Sequence, residues 1–296
     1  MSTTPTCLID ASIYIFQYYF SLPDHWVSDS GWPTAAVYGY STFLIRLLSE
    51  HQPDRVAACF DESLETGFRH RLYPAYKSSR ALPDEGLAFQ LKACRNISEL
   101  LGIATYGSEE YEADDLLGSL YQQLQRSPQP IALLTRDKDL GQLLRRPQDY
   151  LWDYAANQRH YSEDIKQKFG VLPSQFIDYL ALVGDPSDDI PGVPGIGQKT
   201  AAKLLHHYGS IEQLWQAPND LSSLPIRGAH QLRDKLETHQ EQLQLSQTLA
   251  RIVTDIELIQ SVNDLNLRLP QWARLRSFCS TMGFEKLFVR AQKQLG

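Results

Sequence analysis

A chain of 296 residues with 43% hydrophobic and 21% charged side chains has room for one large domain or two smaller ones around a substantial core. That composition is globular rather than fibrous or disordered. Its formal net charge of −7 argues against a surface coated in base to hold nucleic acid, while allowing an acidic pocket that binds cations beside local basic patches.

No apolar run approaches a membrane span, and the opening MSTTPTCLID lacks the charged start and apolar core of a secretory signal. Cys7, Cys59, Cys94 and Cys279 lie far apart with no CxxC pair, so a disulfide framework and a zinc site are both disfavoured. The expectation is a cytoplasmic protein with reduced, mostly buried thiols.

The first element is TCLID, a short apolar run that closes with Asp10. A helical pattern follows over 35–50, and then VAACFD closes with Asp61. Six residues later comes GFRHRLYPAYKSSR (67–80), which carries Arg69, Arg71, Lys77 and Arg80 with no acid, interleaved with Tyr73 and Tyr76. Bases among aromatics suit a grip on nucleic-acid strands, although most charge runs are simply solvated loops. A second helical pattern covers 87–101. The tract YEADD then places Glu112, Asp114 and Asp115 at the start of a third, 112–125, where Glu112 and Asp115 share a face and Asp114 lies to one side. The run IALLTRDKD carries Asp137 and Asp139 just past its end.

Strands alternating with helices predict a parallel sheet with helices on both faces, whose ligand crevice lies at the carboxyl ends of the strands. Each aspartate could merely cap a following helix. Together, however, the strand-end acids and YEADD bring seven carboxylates to one edge. Unpaired, they would repel one another and hold protons, a conflict that divalent cations resolve. Oxygen ligands without His or Cys point to Mg²⁺ or Mn²⁺.

From about residue 171 the texture becomes mainly helical. GDPSDD adds Asp185, Asp188 and Asp189 in a loop. In PGVPGIGQKTAAKLL, a turn with Gly192, Gly195 and Gly197 opens a helix bearing Lys199, Thr200 and Lys203, an arrangement suited to a phosphate backbone and similar to a helix–hairpin–helix. His206 and His207 are adjacent and do not share one metal, so a helix-surface role is expected for both. The tail 211–296 reads as helical, and RLRSFCSTMGFEKLF is a candidate to pack back on the first half.

The segments LIDAS, GWPTAAVYGY, FDESLETGFRHRLYPAYKSSR, YEADDLLGSL, LLTRDKDLGQLL and GDPSDDIPGVPGIGQKTAAKLL together resemble the 5′-nuclease family. That family comprises the 5′–3′ exonuclease domain of bacterial DNA polymerase I and the flap endonucleases. The resemblance extends over nearly the whole chain in the family's order, and no polymerase segment follows Gly296, as in a free-standing bacterial or phage member. It implies a PIN-like nuclease domain over 1–170 and a helical DNA-binding domain over 171–296 with a helix–three-turn–helix element. It implies that Asp10, Asp61, Glu112 and Asp114 surround a first metal, and that Asp115, Asp137, Asp139, Asp185 and Asp188 surround a second, with Asp114 shared. By the same resemblance Lys77 and Arg80 contact the scissile phosphate, Tyr76 stacks near the substrate end, and the 192–203 hairpin binds the duplex backbone with a potassium ion on its carbonyls. Arg69 and Arg71 join the DNA-binding set. Three positions depart from the pattern: Ala11 stands where Gly is usual, Gln17 where Arg is frequent, and Asp189 where Asn is common.

The implied reaction is hydrolysis of a phosphodiester near a 5′ end or flap, in DNA or RNA-primed DNA, leaving a 5′-phosphate. Two Mg²⁺ about 4 Å apart would serve it, with Lys77, Arg80, Asp114 and Asp115 in the catalytic set. The expected form is a monomer in DNA replication and repair. The alternatives are a non-catalytic, structure-specific DNA-binding protein, against which the full acidic set counts, and a metal-dependent phosphatase, which would have no use for the hairpin. An RNA-directed nuclease of similar fold is a narrower third.

Overall fold

Every residue of TCLID is buried, and successive side chains leave the strand in opposite directions: Cys7 and Ile9 enter one apolar cluster, Leu8 another. That two-sided burial is why the strands read as unbroken apolar runs rather than as alternating ones. The computed structural model describes residues 4–23, 25–63, 66–217 and 229–296.

The described residues form one sheet from β1 (Thr6–Asp10), β2 (Val56–Asp61), β3 (Ala104–Ser108), β4 (Ile131–Leu134), β5 (Tyr150–Asp153) and β6 (Gln158–His160). Its order is β3-β2-β1-β4-β5-β6, parallel throughout except for the antiparallel β6. The three strands expected from sequence are present. β3, β5 and β6 were not anticipated, because ATYGS is short and only half-buried and QRH is exposed.

The helices of the first half are α1 (Ala11–Ser21), α2 (Ala35–His51), α3 (Phe68–Leu72), α4 (Glu85–Leu100), α5 (Ala113–Gln123) and α6 (Ser162–Phe169). Those of the second half are α7 (Phe176–Val183), α8 (Gln198–Tyr208), α9 (Ile211–Gln216), α10 (Ala229–Thr238), α11 (Gln240–Ala250), α12 (Trp272–Thr281) and α13 (Glu285–Leu295). α1, α2 and α4 cover one sheet face. α12 and α13 return to the same layer, where Leu275, Phe278, Leu287 and Phe288 share a core with Phe43, Leu47 and Ile97. This is the packing-back anticipated for RLRSFCSTMGFEKLF. On the other face α5 packs against Leu8, Ala57 and Leu133, and the same cluster continues into α7, α8 and α11.

The tail is not uniformly helical as expected. Residues 218–228 of it lie outside the described residues, and 251–259 run without helix or strand as a strap along α5. A strap with no ladder must satisfy its backbone through side chains. Gln142 Nε2 donates to Ala250 O at 3.0 Å, and its Oε1 accepts from Ile252 N at 3.0 Å. Ser119 bonds Val253 O and Ile256 N, and Gln123 bonds Ile256 O. The approach is close enough that Gly118 admits no side chain: a Cβ there would lie 2.5 Å from Ile252 Cγ2 and 2.9 Å from Val253 O.

Candidate active site

The strand order reverses between β1 and β4, so a crevice opens outside their carboxyl ends. Asp10 ends β1 and caps α1, its Oδ1 accepting from Ile13 N at 3.3 Å. Thr135, just past β4, donates through Oγ1 to Asp10 Oδ2 at 2.9 Å and receives Asp137 N at 2.9 Å, so one hydroxyl ties the two strand ends together. Asp137 Oδ1 in turn accepts from Asp139 N at 2.8 Å. At the end of β2, Asp61 is held by Ser12 Oγ on its backbone N–H and by Ser63 Oγ on its carboxylate. Glu112 caps α5 beside them.

Burial and mutual repulsion mark the centre of this group. Burial and the neighbouring Asp137 carboxylate push Asp10 up to about 7. Burial and Asp137 push Asp139 up to about 8. The same causes, with Asp10 added, hold Asp114 well above the ordinary range, and burial beside Glu112 raises Asp61. The outer acids behave oppositely. Burial opposes ionisation of Glu112, but Lys77 and Arg69 outweigh it and leave its carboxyl below normal. Asp185 is likewise lowered against its burial, by Lys138 and the Ser187 hydrogen bonds.

Two lysines stand among the acids. Lys77 Nζ lies 2.6 Å from Glu112 Oε1 and 3.6 Å from Asp188 Oδ2. Lys138 Nζ lies 2.6 Å from Asp185 Oδ2 and 3.2 Å from Asp139 Oδ1, the latter too poorly aligned for a hydrogen bond. Lys138 was missed in the sequence because TRDKD was read for its acids alone, and Thr135 for the same reason.

No three acidic, His or Cys side chains among the described residues converge tightly enough to cage an ion unaided. A hard cation that keeps several waters needs only one or two carboxylates directly. The all-oxygen donors and the unsatisfied Asp139 Oδ1 fit such a hydrated ion.

The GDPSDD loop closes on itself through reciprocal backbone bonds between Asp185 and Ile190. It is docked on the basic segment. Lys77 N donates to Asp188 O, Ser79 N and Oγ donate to Asp189 Oδ2, and Arg80 reaches Ser187 O and the Asp188 carboxylate. Asp189, which stands where Asn is common, therefore anchors Ser79 from a left-handed backbone at φ 55°. A cavity of about 340 Å³ opens here, lined by Phe16, Asp61, Tyr76, Lys77, Arg80 and Glu112. A wider one of about 620 Å³, between Glu99 and Arg268 behind β3, holds none of these acids.

Three of the expected site residues turn inward in this geometry. Asp115 was assigned to the second metal and the catalytic set, but it is 0% exposed and both its oxygens are occupied by Arg69, Glu112 N and Val253 N. Arg69 was assigned to DNA, but it is 3% exposed and all its donors are spent inside the protein. Tyr76 was expected to stack on substrate, but it is 2% exposed, its hydroxyl donating to Glu112 Oε2 at 2.9 Å with Asp188 Oδ2 at 3.3 Å. Composition alone could not separate these from Arg71 and Arg80, whose side chains are 56% and 51% exposed. Arg71 spends donors on Thr66 O and on Glu110.

At the hairpin, Gly192 packs on the end of α7, where a Cβ would lie 2.2 Å from Val183 O. Gly195 takes φ 78°, Gly197 caps α8 in open space, and Lys199 and Lys203 are exposed with Thr200 half-buried between them. The carbonyls of Pro191, Gly192 and Val193 already accept from Ser246, Gln242 and Ile196, so a potassium ion would have only their second lone pairs.

Two family models match the chain. One, described as the 5′-3′ exonuclease N-terminal resolvase-like domain, covers residues 5–170; the other, the 5′-3′ exonuclease C-terminal SAM fold, covers 171–273. A 5′-3′ exonuclease of Buchnera aphidicola is 34% identical over 269 residues, 90% of this chain and 93% of that protein. DNA polymerase I of Pseudomonas aeruginosa is 37% identical over 300 residues, and that of Thermus filiformis 36% over 280, covering 100% and 95% of this chain. The chain spans about a third of each polymerase, 32% in both cases. In fold it is similar to a T5 5′-exonuclease with bound zinc (TM-score 0.66, 17% identity, 99% of this chain and 100% of that one). It is also similar to the catalytic core of Rad2 in complex with DNA substrate (TM-score 0.63, 17% identity, 99% and 92%). With the two family models together matching residues 5–273 and a relative 34% identical over nearly its whole length, the chain belongs to the 5′–3′ exonuclease family of nucleases.

Proposed function

We propose that this protein hydrolyses phosphodiesters near the 5′ ends of DNA strands, at free ends or flaps and in RNA-primed DNA. Residues 1–170 carry most of the chemistry and 171–296 the grip on duplex, except that Asp185 and Asp188 of the second half join the metal-holding acids and α12 and α13 return to brace the first layer. The observation that carries this reading is the cluster of Asp10, Asp61, Asp114, Asp137 and Asp139 at the sheet's switch point, with Lys77 and Arg80 beside it. Two Mg²⁺ or Mn²⁺ ions held by those acids with Glu112, Asp185 and Asp188 would supply a nucleophilic water and neutralise the leaving oxygen.

The chain's own groups do the rest. Lys77 and Arg80 rise from the segment docked on the 185–190 loop and face the cavity, where they would bind and orient the scissile phosphate and offset charge as it develops on its oxygens. Asp188 holds both cations on that side, and a phosphate entering would take over their donors. The α8 N-terminus, with Gly197 bare of side chain and Lys199 and Lys203 behind it, offers the duplex backbone amides and charge without reading sequence. Selectivity would then come from the substrate's structure.

The test is a 5′-flap duplex labelled on the flap strand, incubated with Mg²⁺ or with EDTA, using wild type and Asp137→Asn. Metal-dependent cutting near the junction by wild type and at least a hundredfold slower cutting by the variant are expected. Flap binding with no cutting in either Mg²⁺ or Mn²⁺ would refute the catalytic reading.

A further inference from the structure

Arg69 and Asp115 meet in a closed set of hydrogen bonds. Arg69 Nε donates to Leu249 O at 2.9 Å, Nη1 to Glu112 Oε2 at 3.0 Å and Asp115 Oδ2 at 2.6 Å, and Nη2 to Asp115 Oδ1 and Arg251 O, both at 2.7 Å. All five guanidinium donors are thereby used. Asp115 completes its own shell with Glu112 N at 3.1 Å and Val253 N at 2.8 Å. The pair touches α3, the start of α5, the last turn of α11 at Leu249 and the strap at Arg251 and Val253 at once.

The consequence falls on Glu112. Its Oε2 is taken by Arg69 and by the Tyr76 hydroxyl, whereas Oε1 accepts from Lys77, in the cleft. The carboxylate is thus pinned on one oxygen and presents the other. A buried ion pair is a poor device for stability, because apolar side chains of similar volume hold a core as well or better. Its planar, two-pronged geometry is a good device for fixing a neighbour's orientation.

We infer that Asp115 is a positioning residue rather than a metal ligand: through Arg69 it sets the orientation of Glu112 and ties that orientation to the seating of the strap that leads out of α11. This rests on the proposed nuclease reading and deepens it. The strap's other bonds, from Gln142, Ser119 and Gln123, keep it in place. Loss of the pair therefore shifts Glu112 before it unseats the strap.

The test uses the full chain as wild type, Asp115→Asn, Arg69→Lys and the double variant. Mn²⁺ bound per protein is counted by electron paramagnetic resonance, and flap cleavage is followed under single-turnover conditions with flap affinity measured separately. Expected for Asp115→Asn are the wild-type number of Mn²⁺, flap affinity within twofold, and a cleavage rate down tenfold to a hundredfold that tenfold more metal does not restore. Arg69→Lys keeps the charge, loses the fork, and should fall comparably. The double variant should be no slower than the slower single.

One Mn²⁺ fewer in Asp115→Asn, restoration by added metal, or losses that multiply in the double variant would each overturn the inference. Melting temperatures of the same four proteins decide the pairing independently of activity. Losses that overlap support it and losses that add refute it, so a wild type that never cuts would sink the proposed function while leaving the Arg69–Asp115 relation decided.

Discussion

Without metal, the protein should become less stable as pH rises through neutrality. In the folded chain Asp10 and Asp139 sit at about 7 and about 8, against 3.8 for an ordinary aspartate. The folded state therefore keeps protons that the unfolded chain has already released. The stability these protons confer is complete below the unfolded value and is lost as pH passes the folded ones. Between pH 6 and 8 the loss is on the order of 1 kcal/mol for Asp10 and 2 kcal/mol for Asp139. Asp137 helps raise both, so their contributions overlap and the total lies at about 2–4 kcal/mol. Glu112 and Asp185, whose values are lowered, contribute stability that is lost only as pH falls below the ordinary carboxylate range, so they are flat over this window. For a chain of this size the melting temperature should fall by about 3–6 °C from pH 6 to pH 8. The assay is calorimetry in EDTA at constant ionic strength, on wild type and on Asp10→Asn/Asp139→Asn. Added Mg²⁺ should raise the melting temperature more at pH 8 than at pH 6. A wild-type melting temperature that is level or rising with pH in EDTA, or an equal fall in the double variant, would refute the reasoning.

Glycine substitutions should separate the two ends of the hairpin. Gly192→Ala drives a Cβ to 2.2 Å from Val183 O and should cost about 1–3 kcal/mol in thermal melting, whereas Gly197→Ala meets nothing, should melt as wild type and should weaken flap binding. Tyr76→Phe removes a buried donor from Glu112 Oε2 and should cost about 1–3 kcal/mol, read by urea unfolding, with the cleavage rate reduced as well. Replacing K⁺ by Na⁺ should change wild-type flap affinity less than twofold, because Gln242 already occupies the Gly192 carbonyl, and Gln242→Ala should make the affinity more dependent on K⁺.

Much of this molecule was legible because its signals are local. TCLID, VAACFD and IALL are apolar on both faces of a sheet, and a strand that ends in aspartate announces where the edge lies. β3 and β6 gave no such signal, since ATYGS is half-buried at one edge and QRH is exposed at the other. The strap after α11 was invisible for a different reason. Its backbone is satisfied by Gln142, Ser119 and Gln123, residues over a hundred positions away, so the β-branched residues of RIVTDI suit extended backbone but nothing nearby in sequence shows that they form a strap and not a strand. Arg69 and Tyr76 are grouped with Lys77 and Arg80 by sequence because all four share a basic, aromatic segment. Composition cannot tell which side chains of a loop turn inward, and only the buried acids at 112 and 115 explain why these two do.

The distribution of cations explains how so acidic a chain folds before any metal arrives, and it indicates where metal is needed. Arg69 answers Asp115, Lys77 answers Glu112, Lys138 answers Asp185, and Arg80 answers Asp188. Among the described residues Asp10, Asp114 and Asp137 have no ion pair, and they lie where β1 and β4 diverge. Burial leaves such a group two options: hold a proton or acquire a cation. Asp10 and Asp114 take the first, and Asp137 is the neighbour that presses on both. Removing that neighbour should therefore relax the others. In Asp137→Asn the pH-dependent fall in melting temperature in EDTA should shrink by at least half, and the extra stabilisation by Mg²⁺ at pH 8 should shrink with it. An unchanged slope would mean that burial alone holds those protons. The negative charge at the switch point would then be too dispersed to concentrate a divalent ion, and the metal would have to be sought among the acids that already have lysine partners.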